Sequence, residues 1–139
     1  METQSADTGA QIIRRLLNLM GRIHHALVRS GANHGLSPAQ AVTLWSLEEP
    51  QAMKDIANLF GCDPSNVTGL VDRLESQDLV RRTSAAADRR VKLIELTEEG
   101  AKIRRAVEDG MEKGLCPSTE LSLEDQQQLL GLLQKIQHD

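Results

Sequence analysis

The short segment Gly61-Cys62-Asp63-Pro64 constrains the fold of this chain most, because it must end one helix and begin the next. Glycine readily adopts the left-handed conformation that ends many helices, so we expect Gly61 to stop the first helix. Asp63 suits the capping position, and Pro64 suits the first helical position, where the backbone N–H needs no partner. The sequence therefore predicts two helices joined by a tight turn, with a fixed start for the second.

The second of these helices carries an apolar face and a polar face. Val67, Leu70, Val71 and Leu74 recur at i, i+3, i+4 and i+7, which predicts the face that packs on the core. The opposite side is polar and almost uncharged, a pattern that suits a helix offering hydroxyl and amide groups to base edges in a major groove. An ordinary amphipathic surface helix is the alternative at this point. The polar side consists of Ser65, Gly69, Asp72 and Ser76, with Asn66, Thr68 and Arg73 on its flanks.

Charge is distributed unevenly along the chain. The net charge of −4 is a poor match to the phosphates of DNA. Residues 79–94, however, carry five basic side chains and one acidic one. Residues 1–78 carry six basic and nine acidic side chains, and residues 95–139 carry five basic and ten acidic ones. Two β-rich runs, at 79–80 and 91–94, bound this basic segment and predict a hairpin. The layout is that of a winged helix-turn-helix, so we predict a mainly α fold with a small β-hairpin wing.

The predicted wing supplies most of the candidate contacts to double-stranded DNA. We expect Arg89 or Arg90 to enter a minor groove, with Asp88 holding that arginine by a charge-assisted hydrogen bond. A hairpin that is merely solvated is the alternative, but its position directly after a helix-turn-helix favours DNA contact. The full set of predicted DNA-binding residues is Ser65, Asn66, Thr68, Gly69, Arg73, Arg81, Arg82, Asp88, Arg89, Arg90 and Lys92.

The remaining helices form the two ends of the chain. A first helix from about Gly9 to Ser30 and a last helix capped by Ser122 with Asp125 both carry wider apolar surfaces than a surface helix needs. These surfaces can cover each other or those of a second chain. Between them, a capping box starts a helix at Ser37, and Thr97 opens a connecting helix. We predict one structural domain with a dimerisation helix at 1–36, a DNA-binding lobe at 37–96 and connecting and dimerisation helices at 97–139.

Several classes of protein are disfavoured by what the sequence contains. The apolar runs are interrupted by charge well short of about 18 residues and no signal peptide is evident, so we expect a cytoplasmic protein. The two cysteines are far apart and do not indicate a disulfide framework. His24 and His25 diverge by about 100° on a helix, so we expect no metal. No nucleophile–base pair or phosphate-binding loop is recognisable, so we expect neither an enzyme nor a cofactor.

Five segments of the chain resemble the MarR family of bacterial transcriptional regulators. Two positions depart from the family pattern: Ala85-Ala86-Ala87 stands where members commonly carry an Asp-Pro pair, and Gly69 stands where many carry arginine. The resemblance implies a homodimer, paired through interleaved terminal helices, that sets two recognition helices on a pseudo-palindromic operator. The matching segments are Ile56-Ala57 with Leu59, Ser65 to Glu75, Leu79-Val80-Arg81-Arg82, Asp88-Arg89-Arg90 and Leu96-Thr97-Glu98-Glu99-Gly100.

The resemblance also implies how such a protein is controlled. MarR-like proteins hold an anionic aromatic or other amphipathic compound between the dimerisation helices and the DNA-reading lobe, which predicts a repressor released by a small ligand. Two alternatives remain open: a thiol-based regulator that uses Cys62, and a winged-helix protein-interaction module without DNA binding. The residues that match the ligand region are Met20, His24, Leu27, Val42, Trp45, Ile103 and Val107.

Overall fold

The computed structural model describes residues 2–115 and 120–136. Within these ranges six helices accompany a small antiparallel sheet of three strands, ordered β1-β3-β2. The strands β2 and β3 form the predicted hairpin, with Arg81 opposite Glu95 and Arg82 opposite Ile94. In chain order the elements are α1 (Glu2–Ala32), α2 (Pro38–Ser46), β1 (Gln51–Ala52), α3 (Met53–Leu59), α4 (Pro64–Ser76), β2 (Val80–Ser84), β3 (Lys92–Leu96), α5 (Glu98–Leu115) and α6 (Leu123–Ile136).

The core lies beneath α4 and extends to the long helices. Val67, Val71 and Leu74 are buried and Leu70 packs against them, which confirms the predicted apolar face of α4. Leu27 of α1 and Val107 of α5 belong to the same cluster of buried residues. Helix α4 and the long helices α1 and α5 therefore share one hydrophobic core.

The turn before α4 agrees with the sequence in most respects. Gly61 has φ of +59°, and Pro64 is the first residue of α4, as predicted. The predicted side-chain cap is wrong, because the Asp63 carboxylate makes no capping hydrogen bond. The carbonyl of Asp63 instead accepts from the Asn66 N–H at 2.9 Å. The turn is thus held by backbone geometry, and the Asp63 carboxylate stays exposed.

Two predicted capping boxes are confirmed. The Ser37 hydroxyl accepts from the Gln40 N–H at 3.2 Å, and the Gln40 side chain accepts from the Ser37 N–H at 2.9 Å. Ser122 and Asp125 make the same reciprocal pair of bonds ahead of α6. In contrast, the predicted start of α1 near Gly9 is wrong, because the helix begins at Glu2. Residues 2–8 contain neither proline nor glycine, so nothing interrupts the helical hydrogen bonds there.

The apolar surfaces of the terminal helices are left uncovered in the single chain. None of the described residues of α6 is buried, and Leu123 and Leu130 are 71% and 58% exposed. In α1, Ile13 and Leu17 are about equally open, at 61% and 60%. The alternative in which the two helices cover each other within one chain is therefore wrong. Among the helices in the described ranges, none is long and apolar enough to cross a membrane.

Candidate DNA-binding surface

The outer face of α4 presents polar groups that are free to bind. Ser65 and Asn66 are exposed at the first turn, and within residues 2–115 and 120–136 neither side chain has a hydrogen-bond partner. The Thr68 hydroxyl makes only a long bond, of 3.4 Å, to the Pro64 carbonyl. A Cβ at Gly69 would meet nothing within 4 Å. The first two turns of α4 therefore form an open surface of small donors and acceptors.

The tip of the wing carries two free cations. Arg89 and Arg90 are exposed, and in the part of the chain that the structure describes neither guanidinium forms an ion pair. The prediction that Asp88 holds one of these arginines by a charge-assisted bond is wrong. The Asp88 carboxylate accepts a hydrogen bond from the backbone N–H of Arg90 at 2.9 Å. The backbone carbonyl of Asp88 accepts one from the Val91 N–H at 3.1 Å. Asp88 thus shapes the turn, because a carboxylate two residues before an N–H closes a local ring.

The cations on the wing strands are already engaged within the chain. Arg81 pairs with Glu95 directly across the hairpin, at 2.5 Å. The Lys92 ammonium group donates to the Ser84 hydroxyl at 3.1 Å. Arg82 pairs with Asp72 and Glu75 of α4. Of the six cations predicted to contact DNA, only Arg73, Arg89 and Arg90 have no side-chain partner among the described residues.

Arg82, predicted as a DNA contact, pairs with two carboxylates of α4 in the single chain. Hydrogen bonding to Asp72 raises the pKa of the Arg82 guanidinium above its ordinary value, and the charge of Glu75 adds to this against the opposing effect of burial. The sequence pattern predicts Arg82 as a contact to DNA and indicates no partner for Asp72 or Glu75. One sequence feature indicates these ion pairs: two carboxylates lie three residues apart on α4, and a cation follows them on the next strand.

The side chains of the predicted ligand region differ in exposure in the single chain: some are buried and others are open to solvent. Leu27 and Val107 are buried, and Val42 and Ile103 pack against the core beside them. Met20, His24 and Trp45 are exposed, with Met20 at 62% and Trp45 at 44%. The larger of two described depressions, of about 540 Å³, shares none of these residues. Its lining consists of Asn18, Gly21, Arg22, His25, Ala26, Arg29, Ser30, Asn33 and Gly110.

The remaining candidate groups are the cysteines and the histidines His24 and His25. Cys62 is a half-buried free thiol whose Sγ donates to the Ala57 carbonyl at 3.7 Å. Cys116 lies outside the described residues. His24 and His25 are both exposed, and the described residues contain no group of three or more metal-ligating side chains.

The helix pair, the short sheet and the basic loop together define a winged helix-turn-helix protein. Residues 36–92 match the model of the MarR family. The HTH-type transcriptional repressor MdtR of Bacillus subtilis (strain 168) is 38% identical over 84 residues, which are 59% of this chain and 54% of MdtR. The chain thus spans about half the length of the curated relatives it matches.

Solved structures extend the similarity beyond the lobe. A MarR family transcriptional regulator from Rhodococcus sp. RHA1 is 31% identical, with a TM-score of 0.64 over 95% of this chain and 93% of that one. A mutant of S. aureus MepR bound to an oligodeoxyribonucleotide is 25% identical, with a TM-score of 0.57 over 91% of this chain and 94% of that one. The chain belongs to the MarR family.

Proposed function

We propose that this protein is a homodimeric, sequence-specific DNA-binding transcriptional repressor that acts on operators in the cytoplasm. The observation that carries the proposal is the open polar surface of Ser65, Asn66 and Thr68 on α4, accompanied by Arg89 and Arg90 on the wing, which have no ion-pair partner among the described residues. Hydroxyl and amide groups on a helix read base edges in the major groove, and unpaired arginines bind phosphates or a narrow minor groove. The MepR mutant, similar in fold, was solved on an oligodeoxyribonucleotide.

The exposed apolar surfaces of α1 and α6 support a homodimer. A monomeric protein rarely leaves so many large apolar side chains uncovered, and a second copy supplies a matching surface by two-fold symmetry. Such a dimer sets two copies of α4 on half-sites about one helical turn apart, so a pseudo-palindromic operator is expected. Sedimentation at micromolar concentration should give a dimer; a stable monomer of 15.3 kDa would contradict this part of the proposal.

The DNA-binding role is tested by selection from random duplexes, followed by titration of the selected duplex and of an unrelated one. We expect a pseudo-palindrome to be enriched and Ser65→Ala or Thr68→Ala to change preference at particular bases by about 1–3 kcal/mol. Ser76→Ala is the matched control, because Ser76 is an exposed serine at the far end of the same helix. Absence of any preferred duplex would favour the protein-interaction module instead.

Release by a small ligand is the second part of the proposal. A weakly acidic aromatic compound bound beside His24 and Trp45 would favour a spacing of the two recognition helices that misfits the operator. Because three residues of the predicted region are exposed in the single chain, a second subunit would have to complete this site. Tenfold release from DNA requires about 1.4 kcal/mol of coupling, and DNA must weaken ligand binding by the same factor.

The ligand hypothesis is tested with small phenolic carboxylates, reading Trp45 fluorescence and operator binding in the same titration. The chain has one tryptophan, so the signal reports one site per subunit. His24→Ala should weaken the response, whereas His25→Ala, adjacent but turned by about 100°, should not. Quenching of Trp45 without a change in DNA affinity would remove ligand control. Release of wild type but not Cys62→Ser by peroxide would transfer control to the thiol.

A further inference from the structure

Arg82 joins the two parts of the DNA-binding lobe. One guanidinium nitrogen of Arg82 donates to Asp72 and another to Glu75, each at 2.5 Å, and its backbone N–H donates to Glu75 at 3.3 Å. Asp72 and Glu75 lie about one turn apart on α4, whereas Arg82 lies on β2. Among the ion pairs of the described residues, only those of Arg82 connect α4 to the wing.

The surroundings of Arg82 differ from those of a cation held ready for DNA. Its side chain is 31% exposed, against 65% for Arg81 on the same strand. Two of the five N–H groups of this guanidinium are committed to carboxylates, and the two negative charges beside it weaken its attraction for a phosphate. The carboxylates whose charge it partly offsets lie on the same helix as the groups offered to DNA, where free negative charge would repel the DNA backbone.

We propose that Arg82 is a positioning residue that fixes the wing relative to α4 and so sets the geometry with which the two elements meet DNA. The proposal rests on the DNA-binding function proposed above. Arg82 acts through Asp72 and Glu75 and makes no phosphate contact of its own. Loss of the clamp misaligns the wing, which lowers affinity for the operator more than affinity for unrelated duplexes, because only the operator complex requires both elements at once.

Substitution by lysine separates a clamp from a phosphate contact. Lysine keeps the positive charge but lacks the fork that reaches two carboxylates, so Arg82→Lys should preserve the salt dependence of binding and still lose operator affinity about tenfold. A residue that serves as a phosphate contact would tolerate lysine with little change. Arg105→Lys is the control, because Arg105 is an exposed arginine of α5, outside the proposed DNA-binding surface, and it forms no ion pair among the described residues.

Removal of the carboxylates provides the reciprocal test. Arg82→Met leaves Asp72 and Glu75 unpaired beside the DNA, and the triple variant Arg82→Met, Asp72→Asn, Glu75→Gln should recover part of the affinity for both duplexes without recovering the operator preference. If Arg82 binds phosphate, Arg82→Met lowers the slope of log affinity against log salt by about 1 per contact and lowers affinity for both duplexes equally. That outcome would overturn the proposal.

Hydrogen exchange of the wing in the absence of DNA distinguishes failure of the clamp from failure of the proposed function. We expect Arg82→Lys and Arg82→Met to accelerate exchange in β2 and β3 at least threefold while exchange in α5 stays unchanged, and Arg105→Lys to change neither. Unaltered exchange in the wing would overturn the clamp, even if wild type binds DNA. Accelerated exchange in a protein that selects no operator would retain the clamp and refute the DNA-binding role. If Arg82→Met does not fold, Arg82→Lys alone decides between these outcomes.

Discussion

Gly100, in the first turn of α5, lies directly against the backbone carbonyl of Leu79, so closely that a Cβ at position 100 would overlap the carbonyl oxygen. The same carbonyl accepts the N–H of Thr97 at 3.1 Å, and the Thr97 hydroxyl accepts the N–H of Gly100 at 3.0 Å. The Thr97 hydroxyl also donates to the carbonyl of Asp78, which has φ of +59°. The end of the recognition helix, the first wing strand and the connecting helix are therefore fixed at one point.

This contact predicts a large cost for a single methyl group at position 100. Gly100→Ala must push α5 away from the Leu79 carbonyl, which we expect to lower the free energy of unfolding by about 3 kcal/mol. Urea denaturation measures this directly. Gly21→Ala is the matched control, because a Cβ at Gly21 meets nothing within 4 Å. The control should be stabilised by about 0.5–1 kcal/mol, as alanine restricts the unfolded chain; equal effects of the two changes would contradict the contact.

We expect substitution of an arginine without an ion pair and of an ion-paired arginine of the wing to change the salt dependence of DNA binding by different amounts. Arg90→Ala should lower the slope of log affinity against log salt by about 1 for each phosphate that Arg90 binds, with a similar fall in affinity for operator and unrelated duplexes. Arg81→Ala should lower the slope by less, because Glu95 already neutralises Arg81. Titrations at several salt concentrations provide the measurement. A flat salt response in wild type would exclude phosphate contact by the wing altogether.

The exposure of Leu130 leads to a prediction for a charged substitution on α6. This leucine is 58% exposed in the single chain and belongs to a helix without buried residues. Leu130→Glu should therefore dissociate the proposed dimer while leaving the helix-turn-helix and wing folded. Sedimentation reports the dissociation and circular dichroism the retained helix content. Gln127→Glu is the control, since it adds the same charge at an exposed polar position of α6. A fully dimeric Leu130→Glu would place the interface elsewhere.

The capping box of α2 gives a smaller prediction. Ser37→Ala removes the hydroxyl that accepts the Gln40 N–H, and we expect the free energy of unfolding to fall by about 1 kcal/mol. Ser37→Asp should retain most of the stability, because aspartate caps equally well. Urea denaturation of the three proteins provides the comparison, and a lower stability of both variants would indicate that the hydroxyl serves another purpose.

Local order in the lobe could be predicted from sequence, because its causes are local. Gly61 and Pro64 fix a turn through their own backbone preferences, and the period of Val67, Val71 and Leu74 identifies a buried face. The partner of Arg82 could not be predicted in the same way. Its bonds depend on how β2 leaves α4, and that path is set by the whole lobe.

The same limit applies to Asp88 and to the ligand region. The choice between a guanidinium and a backbone N–H as partner of Asp88 depends on the exact turn at the wing tip. Whether Met20, His24 and Trp45 face a cavity depends on what lies opposite them, and one chain does not determine that. Sequence patterns identify which residues share a face; they do not identify the neighbour across a gap.

In the proposed dimer, the exposed leucines of α6 would connect protein concentration to competence for binding DNA. In that dimer the apolar contacts of α6 form only on pairing, so the stability that they would contribute follows mass action. Dilution below the dissociation constant of the dimer removes the partner surface and, with it, the fixed spacing of the two recognition helices. At low abundance the number of dimers able to bind an operator then rises with the square of the number of chains. The number of competent dimers would then change more steeply than in proportion to the amount of this protein.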